Sequence, residues 1–236
     1  MPKLIDQLSV FLPVYNEEEN ITAVVLKVQS VLEKIADKWE IIIVDDGSTD
    51  STRESALALL KTDKRIRLIS HKTNRGYGAS LKSGFYNAKY LWIAFIDSDG
   101  QFDFSDINKF IEKQRETNAD LVIGYYQNRK ASFIKKITSK VWELIVFLLF
   151  GLRVRDIDCG FKFINRQVIE RIPKLESERG AFISSELLIK AKKAGFRIEE
   201  VSVSHYARTK GKGTGRNFNV ILTSFSDLFA LWKKLR

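Results

Sequence analysis

Two aspartates two residues apart, Asp97 and Asp99, directly follow the apolar run 91–96 (LWIAFI), and Gln101 stands two residues further on. At that spacing the carboxylates can converge on one hard cation. Carboxylate, water and phosphate oxygens together suit Mg²⁺ or Mn²⁺. A cation there would bind a diphosphate and stabilise its charge as it departs. Asp-x-Asp can also cap the following helix, but its position straight after a buried-strand sequence favours chemistry. A second acidic turn, Asp45-Asp46-Gly47-Ser48, ends the run 40–44 (EIIIV). One of its carboxylates could accept from a nucleobase N–H and the other from a ribose hydroxyl, or the turn could serve only as a cap. A third, Asn74-Arg75-Gly76-Tyr77-Gly78, precedes a helical stretch. Glycines permit close backbone approach and a helix N-terminus favours phosphate, though a tight loop would need the same residues. A dinucleotide fingerprint is excluded, because G-x-G-x-x-G should follow the first strand and residues 13–17 read PVYNE.

The elements that must position these residues alternate along the first half. Strand-like runs at 8–14, 40–44, 66–70, 91–96 and 120–123 are separated by helical periods at 17–36, 49–61, 78–88 and 105–116. This predicts an α/β fold with a mainly parallel sheet and helices on both faces. In such sheets ligands bind beyond the carboxyl ends of the strands, where the polar turns fall. The second half predicts helices at 132–151, 184–194 and 217–236 and a strand at 196–204, and leaves 153–164 unassigned. The helix 132–151 has an apolar stripe at Phe133, Ile134, Ile137, Val141, Leu144, Ile145, Leu148 and Leu149. Basic residues Arg129, Lys130, Lys135, Lys136, Lys140, Arg153 and Arg155 lie around it. The helix 217–236 repeats the scheme with Ile221, Phe225, Leu228, Trp232 and Leu235 beside Lys233, Lys234 and Arg236. Such stripes suit a membrane interface, the core, or a dimer contact.

The chain has 236 residues, 44% of them hydrophobic, which fits a single domain. We divide it by pattern into a regularly alternating half 1–124, a less regular half 125–216 and a C-terminal amphipathic helix 217–236. One cysteine, Cys159, rules out an internal disulfide and points to the cytosolic side. No run approaches the ~20 apolar residues of a membrane span, and the first residues lack the apolar core of a secretion signal. The net charge of +10 favours an anionic partner. Nucleic acid is disfavoured, since no RNA-binding fingerprint or zinc spacing occurs.

In order, the segments PVYNEEENI, VDDGSTDST, NRGYGASLKSGF, DSDGQ and DCGFK resemble the family 2 glycosyltransferases of GT-A fold. The similarity is to the branch of dolichol-phosphate mannose synthases and polyprenyl-phosphate glycosyltransferases, over residues 8–210. The resemblance implies a nucleotide-binding half 1–124 and an acceptor-binding half 125–216, with nucleotide contacts from Pro13, Tyr15, Glu17, Asp45, Asp46, Gly76, Gly78 and Asp97. It implies that Asp97, Asp99 and Gln101 hold Mg²⁺ or Mn²⁺ and the diphosphate. Asp99 and Asp158 would be catalytic, Asp158 as a base or as an acceptor-orienting carboxylate. Arg129, Ser139, His205 and Arg208 would meet acceptor or donor phosphates. The implied reaction is inverting transfer of a hexose from a UDP- or GDP-sugar to polyprenyl or dolichyl phosphate. The enzyme would sit peripherally on the cytosolic face of a membrane, with a second copy or a membrane protein as a further partner. Transfer to a sugar hydroxyl is the alternative. Two departures fall on the acceptor side: the family's arginine is absent after Gly124-Tyr125, and its usual Gly-x-Ser is replaced around Gly211-Lys212-Gly213-Thr214.

Overall fold

The computed structural model describes residues 3–126, 133–178, 180, 182–208, 210 and 218–235. Its elements run β1 (Ile5–Val14), α1 (Ile21–Ile35), β2 (Ala36–Asp45), α2 (Thr52–Thr62), β3 (Ile66–Ser70), α3 (Tyr77–Asn87), β4 (Trp92–Ile96), α4 (Ile107–Thr117) and β5 (Leu121–Tyr126). There follow α5 (Phe133–Phe150), β6 (Phe161–Asn165), α6 (Arg166–Arg171), α7 (Phe182–Lys193), β7 (Ile198–Val203) and α8 (Phe218–Leu235). The strands form one sheet in the order β3-β2-β1-β4-β6-β5-β7.

The sheet divides the core into two layers, because successive side chains on a strand point to opposite faces. On one face Leu8, Val10, Leu12, Ile41 and Ile43 pack with Val25, Val28 and Leu32 of α1, Ala56 and Leu59 of α2, and Phe110 of α4. On the other face Phe11, Ile42, Val44 and Phe95 meet Leu81 and Phe85 of α3, Leu187 of α7 and Leu228 of α8. Phe11, Phe85 and Phe95 form an aromatic triple with ring centroids 4.9, 5.4 and 5.6 Å apart. Strands buried on both faces explain the continuous apolar runs that made the first half readable.

β1 pairs in parallel with β2 and with β4, so the chain reverses its direction of growth beside β1. That reversal opens the crevice at the carboxyl edge. The unassigned stretch 153–164 contains the principal surprise. β6 begins at Phe161 and runs antiparallel to both β4 and β5. Its pattern was hidden by Lys162, a charged residue in the middle of a buried strand. α6 also went unpredicted.

The amphipathic helices divide their apolar residues. On α5, Val146 is buried and Ile145 and Leu149 pack on the core. Val141, Leu144 and Leu148 face outward, with Leu144 55% and Leu148 70% exposed. α8 turns Leu228, Leu231 and Leu235 onto the core, and Phe225 meets Trp142 of α5 edge-on at 5.2 Å. The side chains of Phe133, Ile134, Ile137, Lys135, Lys136 and Ile221, and residues Arg129, Lys130 and Arg236, lie outside the described set.

α3 presses against β1 at Gly84, where a Cβ would stand 2.2 Å from the Phe11 ring. Alanine would gain helix propensity of about 1 kcal/mol, but overpacking a buried aromatic costs about 1–3 kcal/mol. We expect Gly84→Ala to be net destabilising, read as a lower urea midpoint.

Candidate active site

Strand directions bring the polar turns together. β1, β2 and β4 end at one edge, followed by the loops from Tyr15, Asp46 and Asp97. Because β6 is antiparallel, its beginning lies beside the end of β4. Ile96 is the partner of Phe161, and the Asp97 N–H donates to the Gly160 carbonyl at 3.1 Å. β7 runs parallel to β5, which returns the segment after Val203 to the same edge. There the Ser204 N–H donates to Asp106 at 2.6 Å. Gln101 and Tyr206 exchange bonds: Tyr206 N–H to the Gln101 carbonyl at 2.8 Å, and Gln101 Nε2 to the Tyr206 carbonyl at 2.9 Å.

The first two loops are laced to each other. Asn16 N–H donates to Ser48 Oγ at 3.0 Å, Thr49 N–H to Asn16 Oδ1 at 2.8 Å, Ser51 N–H to Glu18 at 2.8 Å, and Glu17 N–H to Thr52 Oγ1 at 2.8 Å. Helix α1 therefore starts at Ile21 rather than at 17, since residues 16–18 are committed to this lacing. Asp45 is buried and accepts the Ser48 N–H at 3.0 Å. Asp46, 3% exposed, accepts the backbone N–H groups of Arg75 (2.9 Å) and Gly76 (2.7 Å) and faces His71 Nδ1 at 2.6 Å. His71 Nε2 in turn lies 2.9 Å from Ser83 Oγ. Asp46 thus shapes the loop that carries Gly76, the residue before α3. Gly78, in the first turn of α3, packs against the backbone of Ser177 and Glu178. Pro13 is buried within β1, where its carbonyl accepts from Ser98 Oγ at 2.7 Å, and Tyr15 is half-buried just beyond.

Asp97 and Asp99 stand at the centre. Tyr77 donates its hydroxyl to Asp97 Oδ1 at 2.8 Å. The other Asp97 oxygen fills the space a Cβ at Gly160 would take, 1.9 Å from where that atom would stand. Burial, and then the neighbouring Asp99, push the Asp97 carboxyl up to about 7, against the Tyr77 hydrogen bond and the charge of Lys162. Burial and Asp97 likewise raise the Tyr77 hydroxyl. Asp99 Oδ1 accepts the Gln101 N–H at 3.0 Å, and its Oδ2 lies 3.8 Å from Arg208. Arg208 grips Glu17 with Nη2 2.6 and 2.7 Å from the two carboxylate oxygens, while Asn20 Nδ2 also donates to Glu17 at 2.7 Å. A partly buried guanidinium thus bridges two acidic loops from the far end of the chain.

The structure therefore gathers Glu17, Asp97, Asp99, Gln101 and Arg208 around one mouth. Asp158 lies exposed on the turn leading into Gly160. His205 is exposed, bridged to Phe102 and edge-on to Tyr126 with centroids 4.5 Å apart. Ser139 is half-buried on α5, and Arg129 lies outside the described residues. Sequence reasoning assigned no role to His71, Tyr77, Gly160 or Lys162. Tyr77, Gly160 and Lys162 were visible only as members of quoted motifs, since their partners are remote in sequence. Among the described residues no three His, Cys, Asp or Glu side chains form a closed metal cage.

Residues 9–172 match the family described as glycosyl transferase family 2. The chain is similar to a dodecaprenyl-phosphate galacturonate synthase from Rhizobium johnstonii, 31% identical over 235 residues, covering 98% of this chain and 69% of that protein. It is also similar to a dolichyl-phosphate beta-glucosyltransferase from Saccharomyces cerevisiae, 35% identical over 222 residues, covering 84% of this chain and 66% of that one. The chain spans about two thirds of the length of these relatives. Among solved structures, glucosyl-3-phosphoglycerate synthase from Mycobacterium tuberculosis in complex with phosphoglyceric acid has a TM-score of 0.71 at 20% identity. The match covers 98% of this chain and 80% of that one, a likeness of fold.

The raised Asp97 carboxyl has a stability consequence of definite sign. A group that binds its proton more tightly when folded favours the fold at low pH. Stability from this residue falls as pH rises from 3.8 to about 7. We expect Asp97→Asn to stabilise the metal-free protein at pH 8 by about 1–2 kcal/mol. Its denaturation curves should vary less between pH 5 and 8 than those of the parent chain.

Proposed function

The chain belongs to glycosyl transferase family 2, and from that premise we propose that it moves a hexose from a UDP- or GDP-sugar to a polyprenyl or dolichyl phosphate. The reaction inverts the sugar carbon and takes place at the cytosolic surface of a membrane. The observation that carries this reading is the Asp97–Asp99 pair at the mouth of the crevice, one carboxyl pushed up to about 7 by burial and by its neighbour. Two carboxylates forced together call for a cation. Mg²⁺-type sites use one or two protein carboxylates plus substrate phosphates rather than a full protein cage, so an open pair fits. Asp97 and Asp99, with the Gln101 side chain, would hold Mg²⁺ or Mn²⁺, which when bound would offset the charge of the departing diphosphate.

The chain's own residues do the rest. Pro13, Tyr15 and Asp45 line the nucleoside end. Asp46 acts through the 75–76 backbone that it holds, keeping Gly76 and Gly78 at the donor's edge. Glu17 orients Arg208, whose guanidinium stands between Glu17 and Asp99, where donor phosphates would pass. An acceptor monophosphate has its second pKa near 6, so at pH 7 it is mostly a dianion. Its oxygen attacks the anomeric carbon as the bond to the nucleotide diphosphate breaks, and no strong base is required. Asp158 orients the acceptor, with Ser139, Arg129 and His205 on the phosphate-binding side. The prenyl-phosphate names of the relatives support this acceptor. The outward face of α5 (Val141, Leu144 and Leu148, with Lys140 exposed beside them) supports a peripheral membrane contact. No helix among the described residues is long and apolar enough to cross a membrane.

A sugar hydroxyl is the second acceptor, favoured by the exposure of Asp158 at the mouth. There Asp158 would have to remove a proton. The two readings separate in one assay, in which labelled UDP- and GDP-sugars are offered with Mn²⁺ or Mg²⁺, with and without polyprenyl phosphate in detergent. We expect lipid-linked label from one donor, abolished by chelator and by Asp97→Ala or Asp99→Ala. Asp158→Asn should cost about tenfold or less with a phosphate acceptor, against about 10²–10⁴-fold where a base is needed. Donor hydrolysis without lipid product would transfer support to the hydroxyl reading. Unchanged turnover in both aspartate variants would remove the active-site assignment.

A further inference from the structure

β6 carries a lysine where its neighbours are apolar. Lys162 is 0% exposed and sits opposite Phe95 in the antiparallel register. Its Nζ donates to the Cys159 carbonyl at 2.5 Å and lies 5.2 Å from the centre of the Phe95 ring. A fully buried ammonium is costly unless it is bonded and faces opposite charge. Burial lowers its pKa, and the acidic groups of Cys159, Asp158, Asp156 and Asp97 act against that. Packing alone gives no reason for a cation here, since an apolar side chain of similar volume between Phe161 and Phe163 would cost less.

Lys162 is bonded to the turn 156–160. Within that turn the Asp158 N–H donates to Asp156 Oδ1 at 3.1 Å, and the Gly160 carbonyl receives the Asp97 N–H at 3.1 Å. Gly160 also leaves the room that the Asp97 carboxylate occupies. The tether to Cys159 therefore falls between Asp158 on the acceptor side and the glycine that seats Asp97 on the donor side. The geometry points to Lys162 as a positioning residue of the transfer reaction: it pins the 156–160 turn from beneath and fixes where Asp158 stands relative to Asp97. Its kinetic consequence rests on the proposed transferase reading; the tether itself does not.

Both parts can be tested separately because Cys159 is the only cysteine. It is buried, and its thiol is pushed up to about 12 by that burial, so in the native chain it should react slowly with a disulfide reagent such as DTNB. Lys162→Met is similar in volume but leaves the Cys159 carbonyl unbonded and Asp156 and Asp97 without that opposing charge, so a lower Tm is expected and both assays are run well below it. If the tether holds the turn, this variant labels about tenfold faster or more under native conditions, because the turn opens locally. Its kcat for transfer to polyprenyl phosphate should fall severalfold and by no more than about tenfold, the bound set by Asp158→Asn, because a misplaced orienting carboxylate costs no more than its loss, with the donor KM within twofold. A purely structural lysine would change Tm and leave the kcat of the folded protein alone. Should Lys162→Met fail to fold, Lys162→Gln keeps an N–H for the carbonyl and is read in the same two assays, with intermediate values expected. Full kcat in either folded variant overturns the positioning role, and unchanged labelling in Lys162→Met overturns the tether. If the parent chain moves no sugar from any donor while the labelling contrast persists, the transferase reading fails and the tether stands.

Discussion

The Asp97 carboxylate occupies space that exists only because residue 160 has no side chain, and much of the site depends on that fit. The contact joins the end of β4 to the start of β6, two segments more than sixty positions apart in the chain. A Cβ at 160 would either expel the carboxylate or part the two strands. With the contact made, the backbone bond from Asp97 to Gly160 sets the depth of the crevice. Tyr77 then closes over the remaining carboxylate oxygen from α3. The loop after β4 and the turn before β6 are thereby registered to each other by sheet pairing, whose geometry is stiff.

Around this centre the fold holds more negative charge than its stability favours. Asp97, Asp99 and Glu17 share one mouth, and burial first, with the neighbouring carboxylates adding to it, pushes the Asp97 carboxyl up to about 7. Two cations moderate the repulsion from opposite directions. Arg208 arrives from above on the segment after β7 and bridges Glu17 toward Asp99, and Lys162 lies beneath. Acid concentrated where a divalent ion and a diphosphate would meet is a local cost that the rest of the sheet must absorb. The two thick apolar layers make that possible.

Several motif residues act on each other instead of facing a ligand. Asn16, Glu18, Ser48 and Thr52 lace the first two loops, and Asp46 is engaged by His71 and the 75–76 backbone. These contacts tie down the loops beyond β1 and β2, as the proposed transfer, working by placement rather than by strong acid–base chemistry, would need. The helices of the second half are divided in the same economical way. α8 and the inner side of α5 complete the core, and the outer side of α5 is left apolar and exposed.

The sequence by itself determined the α/β class, the strands of the first half and the turns that matter, because strands buried on both faces are written as unbroken apolar runs and ligand turns follow them directly. Asp97, Asp99 and Glu17 were legible from their places after strands, and Arg208 only through the family resemblance. It could not show that Glu17 and Arg208 meet, since 191 positions separate them, nor that α8 faces inward while part of α5 faces out, since an amphipathic stripe does not name its partner. Above all it could not give the direction of β6. Local pattern carries no sign of parallel or antiparallel pairing, and Lys162 masked the strand itself. Only tertiary packing decided that β6 runs against its neighbours, and that reversal is what carries the 156–160 turn to the carboxyl end of β4, beside Asp97, instead of to the far side of the sheet.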